Sequence, residues 1–339
     1  MAGANATPPA LVAAVSEAGG LGFLGAAYLS PDEIAEQAAA VRRLTARPFG
    51  VNLFAPAPAP QPTDAAAAIR HLAPYHAELG IAAPNGPAPP RFSFDDQLAA
   101  VLASDAAVFS VTFGLLPDGA LDAARSRGLF VVGTATTVEE AVAMQRSGVD
   151  AVAAQGSEAG AHRGTFAAPF EMAMVGTMAL VPQVVDAVRV PVIASGGIMD
   201  GRGIVAALAL GAGAVQMGTA FLTTEECGIA ESYKDAVLAA REDGTRTTRA
   251  FSGRPARGIV NRFMRETEAA DGAILPYPLQ NALTRPMRTA AAQGNRAEFL
   301  SLWAGQGVRL ARRLPAAELV RRLGAEADAA VQRLTDARS

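Results

Sequence analysis

The sequence has only one cysteine, one lysine and three histidines among its 339 residues. A single cysteine, Cys227, excludes an intramolecular disulfide and any metal cluster built from cysteines. The net charge is −3, with 29 basic against 32 acidic residues, so there is no basic field to bind nucleic acid. No apolar run approaches the ~20 residues that span a bilayer, and the N-terminus lacks the layout of a signal peptide. These absences favour a soluble, cytoplasmic protein that binds neither nucleic acid nor membranes.

Apolar residues, in contrast, are plentiful. They make up 50% of the chain, against 18% charged residues, which is enough for a sizeable core. Short, continuously apolar runs recur and are typical of strands buried on both faces of a parallel sheet. They lie at 21–24, 50–53, 107–112, 129–133, 150–155, 191–195 and 214–218.

Helical patterns with clear start signals separate these runs. Ser30, Thr137 and Asp200 each stand as an N-cap before a helical stretch, and Gly148 and Gly211 stand at the ends of two of them. Alternating strands and helices predict right-handed βαβ units. Successive strands begin near 108, 129 and 150, a tight repeat that favours a (β/α)8 barrel of the TIM type. A doubly wound sheet is the alternative, but it needs a reversal of strand order for which the sequence gives no signal.

Three regions complete the predicted organisation. Residues 1–222 are predicted to form the barrel, with a proline-bounded helical insertion at about 54–106 that is a candidate lid. Residues 223–339 are predicted to be a mainly helical region that completes the barrel. Only seven strands are visible, so the first strand is expected to be missing from the N-terminus. Met1-Ala2-Gly3 would be its last residues, and we expect in-frame codons upstream to encode the rest.

Two glycine-rich strand ends predict a phosphate site. One apolar run ends in Ser195-Gly196-Gly197, and the next ends in Gly218-Thr219. In barrels the loops after the last two strands meet at the catalytic face, where glycines let backbone N–H groups approach an anion. The alternative is that both are simply tight turns between a strand and a helix.

His162 is the histidine placed best for chemistry. It follows the run 150–155 in a loop of small residues at the predicted catalytic face, where an imidazole is a candidate acid, base or hydrogen-bond donor. The alternative is a loop histidine that caps a carbonyl group. His71 and His76 lie in the insertion and are expected to be solvated. No second histidine stands at ligand spacing, so a metal site is not predicted, and Cys227 is expected to be structural.

Five segments of the sequence form a distinctive set: AVSEAGGLG at 14–22, FGVNL at 49–53, QGSEAGAHRG at 155–164, ASGGI at 194–198 and QMGT at 216–219. Together they resemble the nitronate monooxygenase family, formerly called 2-nitropropane dioxygenases. Further similarity lies at Phe113–Pro117, Ser252–Arg257 and Leu302–Gln306, so it extends over nearly the whole chain. The resemblance implies an FMN-binding (β/α)8 barrel covered by a helical region.

The resemblance also implies site residues and a reaction. His162 would lie near the reactive edge of the flavin. An alkyl nitronate would give an electron to FMN, forming a semiquinone, and O2 would reoxidise the flavin, with a carbonyl compound and nitrite as products. His162 would bind the nitro oxygens of an anionic nitronate, or act as a general base on a neutral nitroalkane. The residues implied to hold FMN are Asn52, Gln155, Gly160, Gly197, Gln216, Met217, Gly218 and Thr219.

Two other functions stay open. An FMN-dependent enoyl-(acyl carrier protein) reductase using NAD(P)H shares the phosphate strands, but Phe113–Pro117, Arg163 and the long C-terminal region through Trp303 argue against it. A flavin-binding protein without turnover is the other. An inosine-phosphate dehydrogenase is disfavoured, because its loop would carry a cysteine where His162 stands. Arg163, Arg254 or Arg257 could accept a carboxylated nitronate, and no sequence signal points to a particular oligomeric state.

Overall fold

A computed structural model describes residues 6–56, 63–88, 92–270 and 272–337. The strands are β1 (Gly22–Gly25), β2 (Phe49–Phe54), β3 (Val108–Thr112), β4 (Phe130–Ala135), β5 (Ala151–Gln155), β6 (Ala161–His162), β7 (Val192–Ser195), β8 (Ala214–Gln216), β9 (Thr245–Thr248) and β10 (Ala256–Ile259). The helices are α1 (Pro9–Glu17), α2 (Pro31–Leu44), α3 (Ala66–Glu78), α4 (Phe94–Leu102), α5 (Ala120–Ser126), α6 (Val138–Ser147), α7 (Thr177–Ala187), α8 (Gly201–Ala209), α9 (Glu231–Ala239), α10 (Arg262–Glu268), α11 (Leu279–Gln293) and α12 (Ala316–Asp336).

Seven parallel strands form the main sheet. Their order is β1-β2-β3-β4-β5-β7-β8, so each pairs with the next barrel strand along the chain and the order never reverses. All seven predicted apolar runs are strands. This order confirms the TIM-type barrel and excludes the doubly wound sheet, which requires a reversal. The predicted first strand of the barrel, whose last residues would be Met1-Ala2-Gly3, lies outside the described residues.

The predicted helix starts are confirmed in atomic detail. Ser30 and Glu33 form a reciprocal capping box at the start of α2, and the hydroxyl of Thr137 accepts from the backbone N–H of Glu140 at the start of α6. The side chain of Asp200 accepts from two backbone N–H groups at the start of α8. Each interaction pairs donors that the first helical turn otherwise leaves unbonded.

The interval 54–106, predicted as a single helical insertion, contains two helices, α3 and α4, which belong to different parts of the fold. Helix α4 packs on β2 and α2 as the ordinary barrel helix before β3, whereas α3 packs against α11 in the C-terminal region. The expectation that both insertion histidines are solvated is wrong. His76 is 2% exposed with Nδ1 2.6 Å from the carbonyl of Ala82, and His71 is half-buried with Nε2 2.9 Å from Thr267 Oγ1. An amphipathic α3 turns these rings towards α10 and the 81–82 turn rather than towards solvent.

The region after residue 222 contains two strands that the sequence did not predict. β9 and β10 pair antiparallel, and β10 also pairs with β6, placing Ala256 opposite His162. A second large apolar cluster fills this region and includes Cys227, whose Sγ donates to the carbonyl of Ala6. Helix α12 packs on α8 and α1 and so spans the two ends of the seven-stranded sheet from outside.

Within the described residues, no helix combines the length and apolarity that crossing a bilayer requires.

Candidate active site

A cavity opens at the carboxyl ends of the barrel strands. Six of its lining residues come from the ends of six different strands, and the others are Ala153 and residues of two loops. The catalytic face of a (β/α)8 barrel is built from such positions. The strand-end residues are Phe54, Thr112, Thr134, Gln155, Ser195 and Gln216, and the residues of the two loops are Phe113, Gly160 and the short strand β6 with Ala161 and His162.

The loop that carries His162 is bound to the strand before it. Gln155, the last residue of β5, donates from Nε2 to the carbonyl of His162 at 3.1 Å and accepts the N–H of Gly164 on Oε1 at 2.8 Å. The buried guanidinium of Arg163 donates to the carbonyls of Gln155 and Ala173, and burial lowers its pKa to about 10. Arg163 therefore holds the loop, and it is not among the residues that line the cavity.

The imidazole of His162 lies among aromatic rings and has one hydrogen-bond partner among the described residues. Its ring centroid lies 5.6 Å from that of Phe113, 6.0 Å from Tyr277 and 5.7 Å from Trp303. Its Nε2 lies 2.8 Å from Oγ of Ser252. Burial, reinforced by the nearby positive charges of Arg254 and Arg288, lowers the pKa of His162 to about 3. The imidazole is therefore neutral at physiological pH.

The other two arginines noted in the sequence are also bound to backbone carbonyls. Arg254 donates from Nη2 to the carbonyl of Thr165, and its guanidinium carbon lies 3.8 Å from the ring centroid of Phe113. Arg257 donates from Nε to the carbonyl of Ser157 at 3.2 Å. Arg254 nevertheless brings a positive charge close to His162, in a position that favours anions.

Glycines after two neighbouring strands leave backbone exposed. Gly197 follows β7 and Gly218 follows β8, and both are exposed. A Cβ at Gly218 would meet no atom within 4 Å, and a short 3-10 helix begins at Thr219 directly after it. The amino end of α8, in contrast, is already bonded by the side chain of Asp200 and by Glu326 of α12. An anion at this face would therefore meet the turn at Gly218 rather than α8.

Of the remaining residues implied for FMN, Gly160 lines the cavity, whereas Asn52, Met217 and Thr219 are not among its lining residues. A Cβ at Gly160 would lie 2.6 Å from the backbone of Ala304, so this glycine also permits close packing of the C-terminal segment. Asn52 is buried and donates to the Ser110 side chain at 2.9 Å and to the cavity-lining Thr112 at 3.3 Å. Met217 packs against an apolar cluster that includes Leu319 and Leu323 of α12. Thr219 Oγ1 accepts the N–H of Gly305 at 2.9 Å.

Known proteins share the sequence pattern and the fold of this chain. The chain matches the family model for nitronate monooxygenase over residues 1–326. The chain belongs to the nitronate monooxygenase family. It is therefore an oxidoreductase of a family of flavoenzymes. A probable nitronate monooxygenase of Staphylococcus aureus (strain MSSA476) is 42% identical over 322 residues, covering 94% of this chain and 90% of that protein.

Two solved structures have a fold similar to that of this chain. Nitroalkane oxidase from Streptomyces ansochromogenes superposes with a TM-score of 0.90 at 44% identity, covering 98% of this chain and 95% of that one. FabK from Thermotoga maritima superposes with a TM-score of 0.76 at 30% identity, covering 98% and 92%. The first is closer to this nitronate monooxygenase family member by both measures.

Sequence reasoning did not assign two residues of the site. Ser252 contacts His162 across 90 positions of sequence, and Tyr277 contacts it from just before α11. The only signal for Ser252 was its place in the SGRPAR segment at 252–257, which carried part of the family resemblance.

Proposed function

We propose that this protein binds FMN and oxidises alkyl nitronates with O2, giving a carbonyl compound and nitrite. The observation that carries the proposal is a neutral His162 in the strand-end cavity, with the positive charges of Arg254 and Arg288 beside it. A nitronate is a small anion and suits that electrostatic environment.

The residues present fit FMN. The turn at Gly218 offers backbone N–H groups and open space to a phosphate, and the exposed Gly197 lies at the neighbouring strand end. Gln155, Ser195 and Gln216 line the cavity with polar groups that could bond the ribityl chain and ring. When bound, FMN would accept electrons from the substrate and pass them to O2, while the protein supplies orientation and electrostatics.

The protonation state of His162 favours hydrogen bonding over proton abstraction. A group whose pKa is held near 3 is a weak base towards the carbon acid of a neutral nitroalkane. A nitronate has already lost that proton, so it needs only an oriented hydrogen-bond partner. We therefore assign His162 to binding the nitro end of the nitronate, with Gln155 fixing its backbone.

The second candidate is an NAD(P)H-dependent enoyl-thioester reductase, favoured by the 30% identity with FabK over most of the chain. The two functions differ in their electron donor. A nitronate monooxygenase consumes O2 and releases nitrite without a nicotinamide. The reductase would oxidise NADH or NADPH when an enoyl thioester is present.

The test uses purified protein loaded with FMN. Oxygen uptake and nitrite release are measured with propionate 3-nitronate and with 2-propyl nitronate, and nicotinamide oxidation is measured separately with an enoyl thioester. His162→Asn should lower nitronate turnover without releasing FMN, as judged by the visible flavin absorbance. His71→Asn is the matched control, because His71 is also half-buried but bonds Thr267 and does not line the cavity. Unchanged turnover in His162→Asn would refute the role of His162, and nicotinamide oxidation alone would favour the reductase.

A further inference from the structure

The hydroxyl of Ser252 is buried against His162 and has three polar neighbours. Ser252 is 1% exposed, and its Oγ lies 2.8 Å from His162 Nε2, 3.0 Å from the Arg254 carbonyl oxygen and 3.3 Å from the Arg254 backbone nitrogen. A hydroxyl has one hydrogen to donate and two lone pairs to accept. Ser252 can therefore donate either to His162 or to the carbonyl of Arg254.

Of the two acceptors within reach of the hydroxyl, Nε2 of His162 is the nearer, at 2.8 Å against 3.0 Å for the carbonyl oxygen of Arg254. Hydroxyl donors most often make bonds of about 2.7–2.8 Å. The N–H of Arg254 donates to the same Oγ at 3.3 Å. A neutral imidazole that accepts on Nε2 carries its hydrogen on Nδ1.

We propose that Ser252 is a positioning residue that sets the tautomer of His162, so that Nδ1–H is the donor offered to an oxygen of the nitronate. This inference rests on the proposed function and adds to it the residue that makes His162 a donor. Among the described residues the His162 ring has its one hydrogen bond on Nε2, so Nδ1 is the ring nitrogen left for a ligand in the cavity that His162 lines. The opposite tautomer would turn a lone pair towards an anion.

Hydrogen bonds and close packing fix the position of the turn that carries Ser252. The carbonyl of Phe251 accepts from the hydroxyl of Thr284 on α11, and the N–H of Gly253 donates to the carbonyl of Arg249 at 2.8 Å. Gly253 has φ of +80°, and a Cβ there would lie 2.6 Å from the backbone nitrogen of Tyr277. Only glycine fits this left-handed position against a neighbouring chain segment. The hydroxyl of Ser252 is thus placed by the backbone.

The first test reads the tautomer directly, by 15N NMR on the FMN-loaded protein labelled with 15N-histidine. Only three histidines are present, and His162→Asn identifies the signals of His162. We expect the wild type to carry hydrogen on Nδ1 and a bare Nε2, and we expect Ser252→Ala to move hydrogen towards Nε2. A wild type with hydrogen on Nε2, or identical signals in the two proteins, would overturn the proposal.

The second test measures kcat/KM. Ser252→Ala should lower kcat/KM for 2-propyl nitronate by about tenfold, the effect of one lost hydrogen bond, and should lower it less for neutral 2-nitropropane. The double variant with His162→Asn should lose no more than His162→Asn alone, because the two residues act as a unit. An equal loss on both substrates, or additive losses, would indicate a merely structural role.

The control is Ser232→Ala. The hydroxyl of Ser232 is also buried, but it has no hydrogen-bond partner in the part of the chain that the structure describes, and it lies on α9 away from the cavity. It should leave kcat/KM and the His162 signals unchanged. If the wild type itself does not oxidise nitronates, the proposed function fails, whereas the nitrogen signals still decide the role of Ser252.

Discussion

The side-chain amide of Gln155 donates to the backbone carbonyl of His162 at 3.1 Å, while its oxygen accepts the N–H of Gly164. One side chain at the end of β5 thus pairs both a donor and an acceptor of the loop that carries the candidate active-site histidine. The position of His162 is consequently coupled to the barrel sheet by a group whose two ends are chemically different.

Replacing Gln155 with Glu should disrupt this arrangement. The carboxylate can still accept from Gly164, but its second oxygen would face the carbonyl of His162 without a hydrogen between them. We expect the free energy of unfolding to fall by about 1–3 kcal/mol, as for a buried acceptor left unpaired, measured by urea denaturation. Gln183→Glu is the control, because Gln183 is exposed and bonds only within α7. Equal effects of both substitutions would contradict the prediction.

A second buried anchor holds the segment that follows this loop. The carboxylate of Glu140 accepts from the N–H and hydroxyl of Thr136, the hydroxyl of Thr165 and the N–H groups of Phe166 and Ala167. Burial alone would raise the pKa of Glu140, but these hydrogen bonds outweigh it and hold the pKa below its ordinary value.

Glu140→Gln should therefore destabilise the protein in a pH-dependent way. At pH 7 the amide N–H groups would face other donors, and we expect a loss of about 2–3 kcal/mol in unfolding free energy. A carboxyl with a lowered folded pKa stabilises the protein above its unfolded pKa of about 4.3 and loses that contribution as the pH falls through the folded value. The difference between wild type and variant should shrink below that pH in urea denaturation. Glu139→Gln, exposed on the same helix, should show neither effect.

Much of the barrel could be predicted because its strands are local, continuous apolar runs. All seven predicted runs are strands, since burial on both faces leaves an unbroken apolar segment of sequence. Strands β9 and β10 could not be found this way. Thr245–Thr248 reads Thr-Arg-Thr-Thr and Ala256–Ile259 reads Ala-Arg-Gly-Ile, so neither shows a clear pattern, and both depend on pairing with distant segments.

The residues of the candidate site also fall into two classes: those that the local sequence places and those that only tertiary packing places. Residues that follow apolar runs, such as Gln155, His162 and Gln216, could be placed at the cavity because strand ends meet at one face. Ser252 and Tyr277 reach His162 only through tertiary packing of the C-terminal region. Arg163 illustrates the opposite error, because a charged residue beside His162 suggested substrate binding, whereas its guanidinium is buried on backbone carbonyls.

Two glycines offer a matched pair that separates packing from cofactor binding. In Gly160→Ala the new methyl would lie 2.6 Å from the backbone of Ala304 and Gly305, so we expect a loss of about 1–3 kcal/mol of stability from overpacking. In Gly218→Ala the methyl meets nothing within 4 Å, so the FMN-free protein should keep its stability. Titration with FMN should nevertheless show weaker binding in Gly218→Ala, because the methyl occupies space that a phosphate would fill. Wild-type FMN affinity in that variant would move the phosphate away from Gly218.

The neutral state of His162 predicts how acid destabilises the protein. Between the unfolded pKa of about 6.5 and the folded pKa of about 3, the unfolded chain binds a proton on this imidazole and the folded protein does not. The unfolding free energy should therefore fall on acidification below pH 6.5, by up to about 1.4 kcal/mol per pH unit from this group. His162→Asn has no such group, so wild type should lose stability relative to the variant between pH 6.5 and 4.5, measured by urea denaturation at several pH values. Carboxyl groups titrate in both proteins and largely cancel in the difference. Parallel pH dependences of the two proteins would show that His162 accepts a proton in the folded state as readily as in the unfolded one.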